Sequence, residues 1–320
     1  MKYKKIVVWG GGILGSQIAY QTAYCGFDVT VLTVDAKSID GIRAKLKTLH
    51  KNYVDDLKLM NKKKPEDFWA RGLADIKTFN YNKCLVNANK ALQSIKVEYE
   101  QEKAVKDADL VIESITEDFA IKANLFKQLA KILPQKTVIV TNSSTLLPSK
   151  LAKFTGRPEK FLSLHFANTI WRNNIAEVMR HSKTNKKYFN EVVEFAEAIN
   201  MIPLAAKEEK SGYILNSMLV PFLLSGLDLL ANGIADPETI DKAWTLGTGA
   251  PKGPFRIIDT VGLETAKNIV LQYQRVPNLL DPLLRKMMLP YNYDGMLKIL
   301  NSYIKKGKLG KSTKEGFYKY

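Results

Sequence analysis

A histidine closing an apolar strand and a carboxylate twelve residues beyond it are the pair in this 320-residue chain best placed to move a proton. His165 follows Phe161-Leu162-Ser163-Leu164, and Glu177 opens Glu177-Val178-Met179. A carboxylate against one imidazole nitrogen fixes the tautomer and favours the protonated ring, as general acid–base catalysis requires. Spacing alone leaves a second reading open, a core histidine bonded to backbone. His50 falls in a basic helical stretch and His181 in a polar turn, so both are expected to be exposed surface residues. Cys25 and Cys84 lack the spacing of metal ligands, and no cluster of His, Cys and carboxylates points to a metal. Cys25 precedes the helix-stopping Gly26 and Cys84 lies in a lysine-rich stretch, so thiol catalysis is not expected. Two free thiols fit a reducing compartment.

Three glycines carry the next piece of chemistry. Gly10, Gly12 and Gly15 make G-x-G-x-x-G between a predicted strand and a predicted helix. The first glycine permits a tight turn and the second lets backbone approach a pyrophosphate. The third lets the helix sit close to the strand, with its positive N-terminal end toward the phosphates. Such a triplet alone is weak. Here strand, motif, helix and second strand follow in order, so Gly10, Gly12, Ile13, Leu14 and Gly15 are expected to hold a dinucleotide. About 20 residues further on, an acidic residue normally accepts the adenine ribose hydroxyls. Position 33 is threonine instead, followed by Asp35 and Lys37. Either Asp35 takes the ribose from a shifted strand end, or the choice between the two nicotinamide dinucleotides is relaxed. NAD is the expected cofactor, with NADP left open by Thr33.

The elements that must position these residues alternate strand and helix. Lys4 to Trp9 is a continuous β-branched run, as in a strand buried on both faces of a parallel sheet. A helix is expected over Ser16 to Cys25, and strands over Val29–Val34, Ile95–Tyr99, Leu110–Ile115, Thr137–Thr141 and Phe161–Phe166. A further helical pattern, Ile121 to Ile132, is ended by Pro134. This predicts an α/β fold, a Rossmann-type doubly wound and mostly parallel sheet. Ser38 to Asn89 is long, lysine-rich and helical in pattern, and reads as a helical arm inserted after the second strand. After Ile202-Pro203 the pattern becomes helical throughout. The boundary is placed in Lys207 to Ser211, giving a dinucleotide domain at 1–207 with its arm at about 38–90, and an all-α domain at 208–320.

Composition narrows the classes. With 46% hydrophobic residues and 25% charged the chain is neither disordered nor fibrous, and 2 Cys exclude a disulfide scaffold. No signal peptide is read at Met1 to Lys5, and Tyr213–Ala235 is interrupted by Asn216, Pro221 and Asp228, so it reads as a buried helix. A cytoplasmic protein without membrane partners is expected. The net charge of +16 is mostly lysine spread along the chain. Nucleic-acid proteins concentrate such charge on one element, so no nucleic-acid partner is expected. The basic surface is compatible with anionic substrates such as nucleotides or coenzyme A.

Taken together, Gly10 to Gly15, Glu113-Ser114-Ile115-Thr116-Glu117, Asn142-Ser143-Ser144, His165-Phe166-Ala167-Asn168, Glu177 and Gly212-Tyr213-Ile214-Leu215-Asn216 resemble, in order and spacing, the 3-hydroxyacyl-CoA dehydrogenases. The resemblance continues through Gly247-Thr248-Gly249-Ala250-Pro251-Lys252-Gly253-Pro254-Phe255 to Glu315-Gly316-Phe317-Tyr318. It covers nearly the whole chain apart from about 45–90. Asn142 to Ser149 and Leu164 to Asn168 look most like the bacterial diketoreductase branch of that family.

The resemblance implies an NAD(P)-dependent enzyme that interconverts a 3-oxo (β-keto or β,δ-diketo) compound and its 3-hydroxy form. It implies His165 as general acid/base, Glu177 as its orienting partner, and Ser144 and Asn216 as bonds to the reacting oxygen or its neighbour. Asn168 would line the same pocket, and Glu117, Lys122 and Asn142 would contact the cofactor. Asn216 comes from the second domain, so a site in the cleft between domains is implied, as is a homodimer formed through the helical domain. Two departures stand out. Many acyl-CoA members follow His-x-x-Asn with a proline-rich segment, where this chain has Thr169-Ile170-Trp171-Arg172-Asn173-Asn174; and Thr33 replaces the family's acid. The alternative is a catalytically inactive relative on the same fold, of the crystallin kind, against which the intact Ser144, His165, Glu177 and Asn216 argue.

Overall fold

The computed structural model describes residues 2–274 and 291–320. The chain divides into two compact units, Met1–Ile214 and Leu215–Tyr320. In the first, the elements run β1 (Lys5–Trp9), α1 (Ile13–Tyr24), β2 (Asp28–Leu32), α2 (Ser38–Lys62), α3 (Tyr81–Ser94), β3 (Lys96–Glu98), α4 (Gln101–Val105) and β4 (Leu110–Glu113). There follow α5 (Phe119–Ile132), β5 (Val138–Thr141), α6 (Pro148–Leu151), β6 (Phe161–Phe166), β7 (Ile175–Met179), α7 (Lys186–Ala198) and β8 (Ile202–Ala206). The eight strands form one sheet in the order β3-β2-β1-β4-β5-β6-β7-β8. All neighbours are parallel except β6 and β7. Strand order reverses between β1 and β4, which opens the crevice where such sheets bind ligands.

Alternation along the buried strands feeds two cores. Ile6, Val8, Val29, Val31, Ile112, Val140 and Leu164 point to one face, under α1, α2, α3 and α7. Val7, Trp9, Leu32, Val111, Ile139 and Phe161 point to the other, with Phe126 and Leu129 of α5. Each such side chain taken from water contributes about 1.5–3 kcal/mol. The stretch read as an arm is not a projection. Ile42, Leu46, Leu49, Tyr53, Leu57 and Met60 form an apolar stripe along α2 and are buried in the first core, with α3 packed alongside.

Two further strands extend the sheet beyond the six expected from sequence. β7 carries Glu177 at its centre and β8 carries Pro203, and each breaks the apolar alternation that marks a strand. α1 begins at Ile13, three residues earlier than the pattern suggested, and takes Gly15 into its first turn. The first unit continues past Lys207–Ser211 because that segment is tied back to it. The Ser211 hydroxyl donates to the Thr145 carbonyl, the Gly212 N–H to the Ser144 carbonyl, and the Tyr213 hydroxyl to the Ser143 carbonyl.

The second unit is helical: α8 (Leu215–Ala231), α9 (Pro237–Thr248), α10 (Pro254–Val261), α11 (Leu263–Tyr273) and a last helix, Tyr293–Ile304. The helical expectation for 275–290 lies outside the described residues. Its core gathers Val220, Leu223, Leu224, Leu227, Phe255, Ile258, Val270, Met296 and Leu300. Two buried carboxylates fix its ends: Asp241 accepts from the N–H groups of Phe255 and Arg256, and Asp259 from those of Phe317 and Tyr318. Among the described residues no helix is long and apolar enough to cross a membrane.

Candidate active site

The glycine turn between β1 and α1 is a place where only glycine fits. Gly10 has φ +116°, and a Cβ there would lie 2.3 Å from the Ser114 carbonyl oxygen. A Cβ on Gly15 would lie 1.9 Å from the Gly10 carbonyl oxygen, so that glycine lets α1 start directly against the turn. Gly12 differs: a Cβ there would meet no atom within 4 Å, so the missing side chain leaves open space at the helix N-terminus. α1 has no side-chain cap and no acidic residue in its first turn, so its leading N–H groups stay available to an anion. Ile13, the first residue of α1, and Val34, two residues past β2, have 74% and 80% of their surface exposed. Uncapped N–H groups, open space and free apolar surface together suit a dinucleotide.

The neighbouring residues divide unevenly. Thr33 is buried at the end of β2, its N–H donating to the Glu98 carbonyl. Asp35 accepts from the N–H and hydroxyl of Ser38 at 2.9 and 2.8 Å, so its carboxylate is engaged by the first residue of α2. The ammonium of Lys45, on α2, donates to the Gly11 carbonyl at 2.9 Å, which brings a positive charge to the glycine turn. Lys122 is 1% exposed and its ammonium is taken up by Glu113, Glu117 and the Ile115 carbonyl. Glu117 accepts from the Ser143 hydroxyl and from the N–H and hydroxyl of Thr145, and these bonds with the Lys122 charge hold its carboxyl below the usual carboxylate range against the opposing effect of burial. Lys122 and Glu117 thus brace the segments after β4 and β5. Asn142 is also structural in part, its side-chain oxygen accepting from the Phe166 N–H.

A histidine, a carboxylate and a serine are brought together by β6, β7 and the segment after β5. His165 Nδ1 lies 2.9 Å from Glu177 Oε2, and its Nε2 lies 3.2 Å from Ser144 Oγ. Glu177 is 1% exposed, and its other oxygen accepts from the Ile214 N–H at 2.9 Å. A carboxylate bonded this way favours Nδ1 as the N–H side and leaves Nε2, next to Ser144, as the nitrogen able to take up or give a proton. The Tyr213 ring stacks on the imidazole, centroids 4.5 Å apart and planes 12° from parallel. Tyr213 falls in the run Gly212-Tyr213-Ile214-Leu215-Asn216 but has no role assigned to it from sequence; in the structure Gly212 has φ +80° and Tyr213 φ +53°. Asn216 lies on α8 in the second unit, half-buried.

The loop after β6 carries Asn168, which is exposed, and is held from below. Gln17 of α1 accepts from the N–H groups of Thr169 and Ile170, and Thr169 takes φ +61°, strained for a β-branched residue. Asp56 of α2, buried, accepts from the Trp171 indole and the Arg172 guanidinium. Asp56 was visible in the sequence as a carboxylate on the apolar stripe Tyr53-Asp56-Leu57-Met60.

Both spare histidines depart from the surface positions expected for them. His181 is buried against Phe161, its Nε2 without a hydrogen-bond partner, and burial lowers its pKa. His50 is half-buried with Nδ1 2.9 Å from the Tyr20 hydroxyl. Cys25 and Cys84 are free thiols, and burial pushes Cys25 up to about 12, far from a reactive thiolate. Among the described residues no group of His, Cys, Asp and Glu could hold a metal.

Comparison with known proteins shows the family. Residues 5–209 match the model of the 3-hydroxyacyl-CoA dehydrogenase NAD binding domain, and residues 212–320 that of its C-terminal domain. The chain is 34% identical to the human mitochondrial hydroxyacyl-coenzyme A dehydrogenase over 99% of its own length and 91% of that protein's. It is 30% identical to the 3-hydroxybutyryl-CoA dehydrogenase of Clostridioides difficile, covering 99% of both. A solved diketoreductase, described as performing substrate-directed dual catalysis of dicarbonyl compounds, superposes with a TM-score of 0.82 at 43% identity, covering all of both chains.

Proposed function

The chain belongs to the 3-hydroxyacyl-CoA dehydrogenase family, an NAD-dependent dehydrogenase, and we propose that it interconverts a small 3-oxo or dicarbonyl compound and its 3-hydroxy form with His165 and Glu177 as the acid–base pair. The observation that carries this is the pairing of His165 Nδ1 with a buried carboxylate while Nε2 faces Ser144. Bound NAD(H) supplies or accepts the hydride. In the reducing direction protonated His165 gives the Nε2 proton to the forming alkoxide. Glu177 keeps the ring oriented and favours its charged form, and Ser144 holds the reacting oxygen. Proton transfer of this kind contributes about 10²–10⁴-fold; placement of the carbonyl and preorganised hydrogen bonds supply the remainder. Gly10, Gly12 and Gly15 cradle the pyrophosphate at the N-terminus of α1, and Glu117 and Lys122 keep the adjoining loops in shape.

A dicarbonyl substrate free of a coenzyme A carrier is favoured by two observations. The solved diketoreductase is more similar in sequence than the acyl-CoA dehydrogenases compared above, and the clamped segment 169–174 stands where many acyl-CoA members carry prolines. A homodimer through the helical unit follows from the family and is part of the same proposal. The deciding experiment is a panel of acetoacetyl-CoA, 3-hydroxybutyryl-CoA, a free β-keto ester and a β,δ-diketo ester, each with NAD(H) and NADP(H). Turnover of the free esters at a kcat/KM equal to or above that of acetoacetyl-CoA is the expected result. Turnover of the thioesters alone overturns the dicarbonyl reading, and turnover of none overturns the enzyme.

A further inference from the structure

Tyr213 has no task in proton transfer, yet it and its two chain neighbours contact the acid–base group on every side. It is 2% exposed and held at φ +53°, an uncommon conformation for a residue with a bulky side chain. Its ring lies parallel to the His165 imidazole at 4.5 Å. Its hydroxyl donates to the Ser143 carbonyl at 2.8 Å, one residue before Ser144. Its chain neighbours reach the same group: the Gly212 N–H donates to the Ser144 carbonyl at 3.1 Å and the Ile214 N–H to Glu177 Oε1.

We propose that Tyr213 is a positioning residue, whose ring face sets the plane of the His165 imidazole and favours the imidazolium while its hydroxyl ties that plane to the segment carrying Ser144. This rests on the reading of His165 as acid/base. The geometry explains why a third contact is needed. Glu177 at Nδ1 and Ser144 at Nε2 fix two points at opposite sides of the ring but leave it free to tilt about the line between them. A second ring packed flat against the first removes that tilt. The negative π-face is also an electrostatic partner for the ring when it is charged. Burial raises the phenol's pKa, so the hydroxyl remains a donor across the working pH range. The charged groups facing this cluster are Glu177 from β7 and, across Tyr213, Glu113 and Glu117 at and after the end of β4, both paired with Lys122 of α5.

The test compares Tyr213→Leu, which fills similar space without a π-face and keeps the site dry, with Tyr213→Phe, which keeps the ring and loses the tether. For Tyr213→Leu we expect kcat to fall about 10- to 100-fold, with NADH affinity by fluorescence titration within about twofold and the His165 limb of the kcat–pH profile moved to lower pH. Tyr213→Phe should recover most of kcat and the wild-type pH limb. The chain has three histidines, so proton NMR gives a readout apart from activity: the His165 ring protons should lose their ring-current shift in the Leu variant and keep it in the Phe variant. If Tyr213→Leu does not fold, Tyr213→Met takes its place. Unchanged kcat and pH limb in the Leu variant, or equal losses in Leu and Phe with the pH limb unmoved, would overturn the proposal. His165→Gln run in parallel separates the two failures, because a fully active His165→Gln removes the acid–base reading itself, whatever Tyr213 does.

Discussion

His165 and Glu177 stand directly opposite each other across the one antiparallel pairing of the sheet, β6 against β7, with Nδ1 and Oε2 2.9 Å apart. Register makes the pair. A slip of one residue would put the Glu177 side chain on the opposite face of the sheet, and the flanking pairs Ser163–Met179 and Leu164–Val178 leave no room for that slip because they are buried. A carboxylate in the middle of a buried strand is costly unless it is paired. Both Glu177 oxygens are, one with the imidazole and one with a backbone N–H.

Glu177→Gln should therefore fold and bind NADH while losing rate, because an amide neither fixes the tautomer nor stabilises the imidazolium. We expect kcat to drop by about 10²–10⁴-fold in His165→Gln and by less in Glu177→Gln, with cofactor affinity by fluorescence titration unchanged in both. Steady-state kinetics of both variants against wild type check this; wild-type kcat in either would contradict the assigned roles.

Ser144→Ala removes the hydroxyl 3.2 Å from His165 Nε2 without touching the backbone bonds that hold its loop. The loss should appear in kcat/KM, on the scale of about 10²–10³ known for a lost oxyanion donor, with cofactor affinity retained. Ketone reduction measured over a range of substrate concentrations separates this outcome from a simple rise in KM.

What the sequence made legible follows its chemistry. β1, β4, β5 and β6 are buried on both faces and mostly apolar, so they could be read directly, and the glycine triplet declared its own turn. β7 was hidden because its central residue is the charged Glu177, and β8 because Ile202-Pro203 opens it at the sheet edge. The burial of His181 comes from Phe161, twenty residues away in sequence, and no local pattern carries such a contact. Asp56 is marked locally by its place on the apolar stripe of α2, but its partners Trp171 and Arg172, on the loop after β6, are not.

Removing the Asp56 clamp should loosen that loop before it unfolds the protein. Asp56→Ala leaves the buried Trp171 N–H without its acceptor, while Arg172, half-exposed, can turn to water. The expected cost is about 1–3 kcal/mol in urea unfolding, together with a rise in KM for the ketone that exceeds the fall in kcat. Unchanged KM with lowered stability would show that the clamp serves the fold alone.

His181 makes stability depend on pH in a stated direction. Burial lowers its pKa in the folded chain, an effect that outweighs the pull of Glu209 and is reinforced by Lys183. The unfolded chain then binds more protons than the folded one once pH falls through about 6.5. Stability is fully present above that value and is lost progressively as pH drops toward the folded pKa. Denaturant melts at pH 7, 6 and 5 should show this loss, and His181→Phe should flatten it; an equal slope in the variant would assign the acid sensitivity to other groups.

Cofactor choice turns on the residues around the glycine turn. Thr33 offers a hydroxyl where an acidic residue would grip the ribose, and Asp35 is engaged with Ser38 instead. Both weaken the case against a 2′-phosphate, and Lys45, donating to the Gly11 carbonyl, brings a cation to the same turn. A lone lysine gives no bidentate clamp, however, and no arginine follows β2 directly. We therefore expect NADH to be preferred over NADPH by on the order of tenfold in kcat/KM, equal to about 1.4 kcal/mol. Thr33→Asp should widen that ratio by adding a ribose acceptor and a charge that repels phosphate. Lys45→Ala should widen it too, by weakening NADPH more than NADH, with titration of 2′,5′-ADP against 5′-AMP reporting the same change without turnover. A wild-type preference for NADPH, or equal losses for both cofactors in Lys45→Ala, would contradict the assignment.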